Sequence, residues 1–244
     1  MTSHPNDVLR DTHILIFGGG SGIGLETARA ALAAGAQVTI AGRTPEKLHQ
    51  AASQLPGVKT AIADITQRTS VEAVFAAMTR VDHLVVSAGG LTGGLLADSD
   101  PDALLGAVRE RLAGALYAIK AALPLLPPTG SIVLTGGQFS DRPSGNGFAV
   151  TSAAVRGIEA LARGLALELK PIRVNVISPG FVDTPLFDPI GLAGRTALLD
   201  QAARALPVGR VGTPAEIAHG ILFLLANGFT TAEVLHIDGG GRFV

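Results

Sequence analysis

The sequence predicts a single doubly wound α/β domain, a seven-stranded parallel sheet with helices on both faces. Three observations predict it. Short apolar, β-branched runs alternate with longer helical stretches along the whole chain, as strands buried on both faces and their crossovers do. A glycine-rich turn joins the first such run to the first helix. No composition shift or low-complexity stretch marks an internal boundary in the 244 residues, and α/β folds often reach this size undivided.

The elements follow in order. "HILIF" reads as a strand, and the alanine-rich "GLETARAALAAG" as a helix closed by Gly35. "QVTIAGR" is a strand, followed by the helix "PEKLHQAASQL" with Pro45 in its first turn. "VKTAIAD" and "VDHLVVSAGG" are strands that flank the helix "QRTSVEAVFAAMTR". One long helix is predicted over 101–126, then the strand "GSIVLTGG" and a second long amphipathic helix over 147–170. "IRVNVISPG" is a strand, "TPAEIAHGILFLLA" a capped helix and "AEVLHIDGG" the last strand. Residues 183–207 form the one irregular insert, a candidate substrate lid.

Composition narrows the function classes. Hydrophobic residues make up 47% of the chain and charged residues 16%, with a net charge of −1. No basic stripe points to nucleic acid. The apolar stretch "IAHGILFLLANGF" is too short to span a bilayer, so no membrane partner is expected. The N-terminal apolar run is far shorter than a signal peptide's, and a cytoplasmic protein is expected. There are no cysteines, hence no disulfides or thiolate metal sites. The six histidines (His4, His13, His49, His83, His219 and His236) form no pair at ligand spacing, so no metal site is expected.

"FGGGSGIG" joins the first strand to the first helix. Gly18, Gly20, Gly22 and Gly24, with Ser21 and Ile23, let the backbone turn tightly against a pyrophosphate, which the helix N-terminus would hold. The strand–loop–helix setting is the condition that confirms such a motif. The alternative is a glycine-rich turn that serves only close helix–sheet packing. At the end of the second strand, Gly42 stands where an acidic residue would accept from the ribose hydroxyls, and Arg43 follows. A guanidinium there suits a 2′-phosphate, and Ser21 and Thr44 add hydroxyl donors. NADP(H) is therefore favoured over NAD(H). A solvated surface arginine is the alternative.

Together these motifs resemble those of the short-chain dehydrogenase/reductases, over nearly the whole chain. "GGGSGIG" looks like the family's glycine motif, and "AGR" like its NADP-preferring second strand. Asp64 and Ile65 match the pair beside the adenine. "VSAGG", with Ser87, Ala88 and Gly89, resembles the Asn-Asn-Ala-Gly segment. "VNVISPGFVDTP" matches the segment after the sixth strand, and this implies Pro179, Gly180, Val182 and Thr184 at the nicotinamide end. The resemblance implies a Rossmann-like fold, a small-molecule substrate and a homo-oligomer, dimer or tetramer, built on the two long alanine-rich helices.

The same resemblance implies four catalytic positions: asparagine, serine, tyrosine and lysine. They fall on Arg111, Gly137, Val150 and Ala154. The chain contains no Tyr-x-x-x-Lys; its one tyrosine, Tyr117, is followed four residues on by Ala121. In the family a hydride moves between the nicotinamide and a carbonyl carbon while the oxygen needs a proton. A phenol with its pKa lowered by a neighbouring ammonium supplies it. Loss of such a general acid forfeits about 10²–10⁴-fold in rate.

Two substitutes stand nearby. Ser140, in the loop "GGQFSDRPSGNG", replaces the missing hydroxyl if that loop folds inward; otherwise the loop is polar surface. Arg111 is a cation that polarises a carbonyl or binds a carboxylate, or else forms an ion pair on the long helix with Glu110, or with Glu159 across an interface. Thr151 and Ser152 are turned off the direction of Val150 by the helical step.

Three functions remain open. The first is an atypical NADP(H)-dependent oxidoreductase of a small carbonyl or alkene. The second is a catalytically silent NADP(H)-binding sensor or partner subunit. The third is a non-redox isomerase or lyase in the same pocket.

Overall fold

The computed structural model describes residues 8–244. Its strands are β1 (His13–Phe17), β2 (Gln37–Gly42), β3 (Lys59–Ile62), β4 (His83–Val86), β5 (Ser131–Thr135), β6 (Arg173–Pro179) and β7 (Val234–Ile237). All pair in parallel, in the order β3-β2-β1-β4-β5-β6-β7. The most apolar runs, in β1, β4, β5 and β6, occupy the middle, where both faces are covered. Side chains alternate between two cores. On one face lie α1 (Gly22–Ala33), α2 (Pro45–Gln54) and α9 (Pro214–Ala226); on the other lie α3 (Arg68–Ala76), α6 (Gly114–Ala122) and α7 (Ala149–Glu168). The strand order reverses between β1 and β4. Crevices at the carboxyl ends of strands beside such a reversal are where ligands bind in open α/β sheets.

Two elements differ from expectation. The helix predicted over 101–126 is broken into α4 (Pro101–Leu104), α5 (Gly106–Val108), a π-helical turn at Arg109–Ala113 and α6. After the π turn, Gly114 packs so closely on Ile65 that a Cβ there would lie 2.9 Å from Ile65 Cγ1. The wider turn aims Glu110 and Arg111 together at the loop after β4. The 183–207 insert is not irregular. It is a 3₁₀ turn at Pro185–Ile190 followed by α8 (Gly191–Ala205), as its alanine and leucine content allows. Among the described residues no helix is long and apolar enough to cross a membrane.

Candidate nucleotide site and catalytic cleft

The loop between β1 and α1 is shaped for a close backbone approach. Gly18 has φ +84°, and a Cβ there would lie 2.7 Å from the Ala88 backbone nitrogen. A Cβ on Gly24 would fall 2.3 Å from the Gly18 carbonyl oxygen. Only glycine permits both the turn and the contact. Ser21 is the N-cap of α1 and Thr44 the N-cap of α2, yet neither hydroxyl caps its own helix. Both remain available to donate at the mouth of the crevice. Thr184 closes the loop from the far side: a Cβ on Gly22 would meet Thr184 Cβ at 3.4 Å.

Arg43, at the end of β2, pairs with Glu110 at 3.3 Å, and Arg43 stays 60% exposed. The second carboxylate oxygen of Glu110 accepts from the Gly90 N–H at 2.7 Å. This chain of contacts ties the end of β2 to the loop after β4. Asp64 Oδ1 accepts from both the N–H and the hydroxyl of Thr66. Ile65 is buried in the core beneath. Ser87 continues the β4 ladder by donating its N–H to Phe17 O. After β6, the Gly180 N–H donates to Ile237 O at 3.0 Å. A Cβ on Gly180 would clash at 2.7 Å with Asp238 Cα. Val182 bridges to Gly212. Pro179 ends β6.

The structure places the four cleft positions as follows. Val150 lies in the first turn of α7 and Ala154 is buried one turn on. Gly137 follows β5, and a Cβ there would come within 3.9 Å of Val155 on α7. None of Gly137, Val150 and Ala154 carries a group that ionises. Arg111 does, but it turns to the loop after β4: its Nη2 donates to Gly90 O at 3.1 Å, and its Nε is buried without a partner. Within the chain, Arg111 forms no ion pair with Glu110 among the described residues. Glu110 pairs with Arg43, and Glu159 with Arg156. Burial pulls the Arg111 pKa down, partly offset by the charge of Glu110, and the guanidinium stays charged. Ser140 sits in a 3₁₀ turn and donates to Asp141 Oδ2 at 3.4 Å. Thr151 and Ser152 donate to Thr92 O and Phe148 O, so both hydroxyls are used inside the fold. Asp183 holds Arg195 of α8 at 2.7 Å.

Sequence reasoning had no means of pairing Arg43 with Glu110, since 67 residues of chain separate them. Nor does local sequence show Arg156 and His236 meeting at Asp141, which lies 15 and 95 positions from them. His4 lies outside the described residues.

Residues 18–241 match the family model described as Enoyl-(Acyl carrier protein) reductase. Carbonyl reductase family member 4 of Danio rerio is 30% identical over 234 residues, covering 93% of this chain and 96% of its own. The chain belongs to the short-chain dehydrogenase/reductase family of oxidoreductases. Two solved structures of this family are similar throughout. MalC Reductase/Diels-Alderase from Malbranchea aurantiaca superposes with a TM-score of 0.91 at 27% identity, covering 98% of this chain and 99% of its own. A small-chain dehydrogenase in complex with NADPH gives 0.85 at 33% identity, covering 96% and 100%. The seven-stranded sheet and its flanking helices are those of the family.

Proposed function

We propose that this chain is an atypical member of the family: an NADP(H)-dependent reductase of a small, apolar carbonyl or alkene that works without the tyrosine–lysine proton relay. The observation that carries the reading is the crevice mouth. Arg43 stands beside Gly42, with no carboxylate of β2 to repel a 2′-phosphate, and the hydroxyls of Ser21 and Thr44 are uncommitted. Glycine at 18 and 24 lets the loop close onto Ala88 and onto itself, which leaves the N-terminus of α1 open to a pyrophosphate. The NADPH complex of a 33%-identical relative supports the same cofactor.

When bound, the nicotinamide supplies or accepts the hydride. Gly18, Gly22, Gly24 and the first turn of α1 hold the phosphates. Arg43 selects the 2′-phosphate, and Asp64 with Ile65 borders the adenine. Ser87, Ala88, Gly89, Pro179, Gly180, Val182 and Thr184 orient the nicotinamide end. At the reacting end the chain offers Gly137 and Val150, which carry no ionisable group, and Ala154 is buried. The proton then comes from water or from the substrate itself. Arg111, fixed against Gly90, adds positive charge beside the loop after β4.

A second reading has its own support. The similar MalC protein is both a reductase and a Diels–Alderase by name. A cycloaddition transfers no proton, so a cleft without a general acid suits carbon–carbon bond formation as well as reduction. In that case NADP(H) binds and substrate changes while the nucleotide is not consumed. The silent sensor differs again, with binding and no turnover of any kind.

The test is NADPH oxidation followed at 340 nm with a panel of ketones, enones and imines, with products analysed by mass spectrometry. Deuterium delivered from 4-deuterated NADPH to product supports the reductase. Product without deuterium and without nucleotide loss supports the second reading. No product from any substrate would overturn both.

A further inference from the structure

Outside the nucleotide crevice, a second polar cluster lies between α7 and the β6–β7 edge of the sheet. Asp141, Glu159 and His236 each present one ligand atom, and these atoms all lie within 4.8 Å of one another. They come from three separate places: the loop after β5, the middle of α7, and β7. His236 Nε2 is 2.9 Å from Asp141 Oδ2. Arg156 Nη1 bridges Asp141 Oδ1 at 3.2 Å and Glu159 Oε2 at 2.7 Å.

What makes this more than a surface ion pair is its buried floor. Glu159 is 1% exposed, and its Oε1 has no hydrogen-bond partner. Ser178 is fully buried, and its Oγ has none either. Val174 and Val176 of β6 and Val234 of β7 pack in the same core as Ile158 and Ala162 of α7. By strand alternation, Ser178 and His236 therefore face α7 too. They are register partners across β6 and β7. From β5, a Cβ on Gly136 would lie 3.9 Å from Glu159 Oε1. An orphaned carboxylate oxygen and an orphaned hydroxyl thus share one side of the sheet with a histidine and a second carboxylate. A buried carboxylate oxygen without a donor is costly unless a cation or a donor completes it.

We propose that Asp141, Glu159 and His236 form a binding site for a divalent first-row transition metal such as zinc. Two carboxylate oxygens and one imidazole nitrogen are the mixed donor set that such a metal accepts, with water as a fourth ligand. In the apo chain the Arg156 guanidinium is the stand-in cation between the two carboxylates. It is 56% exposed and leaves toward solvent when the metal enters. The two carboxylates then neutralise the metal, with His236 as a neutral ligand. Binding pins the loop that carries Gly137 and Ser140 to α7 and to β7. The site is separate from the nucleotide crevice, and the proposal does not depend on the cofactor reading.

The experiment is calorimetric titration of EDTA-stripped full-length protein with zinc chloride, for wild type, His236→Ala and Arg156→Ala. Cobalt(II) absorption gives a second readout of coordination. The proposal expects one saturable zinc per chain, at least tenfold weaker binding in His236→Ala, and tighter binding in Arg156→Ala, where the competing cation is gone. Both replaced side chains are partly exposed, and circular dichroism checks that each variant is folded. Binding unchanged by His236→Ala would assign the zinc to other surface groups and overturn the proposal. No stoichiometric binding in wild type or in Arg156→Ala would also overturn it, leaving an arginine-bridged pair whose spare oxygen is met by buried water.

Discussion

At the scale of single residues, the Arg43–Glu110 pair, 3.3 Å apart, ties the end of β2 to the loop after β4. Arg43 is proposed to meet a 2′-phosphate, and its partner Glu110 has no signal in the local sequence. Glu110 competes with a 2′-phosphate for that guanidinium, and an exposed pair of this kind is worth about 1 kcal/mol at most. Glu110→Gln, which can still accept from Gly90 N–H, is therefore expected to tighten NADPH about fivefold or less and to leave NADH unchanged, as fluorescence titration would show. Arg111 was legible as a cation near the cleft. That it would grip the Gly90 carbonyl was not, because the grip follows from a π turn that no local pattern announces. If Arg111 supplies the positive field at the reacting end, Arg111→Met lowers kcat/KM for an active substrate by about tenfold or more, and Arg111→Lys recovers part of it. Equal turnover in all three proteins would remove Arg111 from the chemistry.

Among the elements, those with a strong start signal were read correctly. Thr213-Pro-Ala-Glu216 predicted the capped start of α9. The structure has the reciprocal pair: Thr213 N–H donates to Glu216 Oε2 at 2.8 Å, and Glu216 N–H to Thr213 Oγ1 at 3.4 Å. The end of α9 carried no such signal. Its last carbonyls are met from another element by Arg173 of β6, which donates to Leu224 O at 2.7 Å and to Leu225 O at 2.6 Å. That contact depends on a crossover, so local sequence could not show it. Arg173 is 9% exposed, and Arg173→Met would orphan buried carbonyls at a helix terminus. A loss of about 2–3 kcal/mol in urea unfolding is expected. A loss well below 1 kcal/mol would mean that the carbonyls find other donors. The break in the helix over 101–126 and the helical 183–207 insert were missed for a related reason. Alanine- and leucine-rich stretches support a straight helix, a π turn or a short helix equally well, and for 101–126 the packing of Gly114 on Ile65 decides.

For the whole molecule, the alternation of apolar runs and helices was enough to give one doubly wound domain, while the strand order had to come from the structure. Stability against pH is set in part by a buried histidine. His83 of β4 has its Nδ1 2.9 Å from Ser131 Oγ, and burial pushes its pKa down to about 4. Above its ordinary value near 6.5, neither the folded nor the unfolded chain protonates it. Between about pH 6.5 and 4 the unfolded chain binds the proton more readily, so stability falls by up to about 3 kcal/mol. His13 shifts in the same direction. Urea unfolding at pH 7 and pH 5 should show the loss, and His83→Asn should reduce it. A flat profile in the wild type would contradict the assignment. Assembly belongs to this scale as well. Leu116 on α6 and Leu167 on α7 are 47% and 75% exposed, which supports a homo-oligomer across these helices. Light scattering should give a dimer or tetramer that Leu116→Glu with Leu167→Glu disrupts, and a monomeric wild type would refute it.

We propose that this chain binds NADP(H) through Arg43 although its cleft lacks the tyrosine and lysine. Titration of wild type and Arg43→Ala with NADPH and with NADH, read by nucleotide fluorescence, decides it. Saturable NADPH binding, weakened at least tenfold by Arg43→Ala while NADH binding stays the same, is the predicted result. No binding of either nucleotide, or NADPH binding indifferent to Arg43, would contradict it.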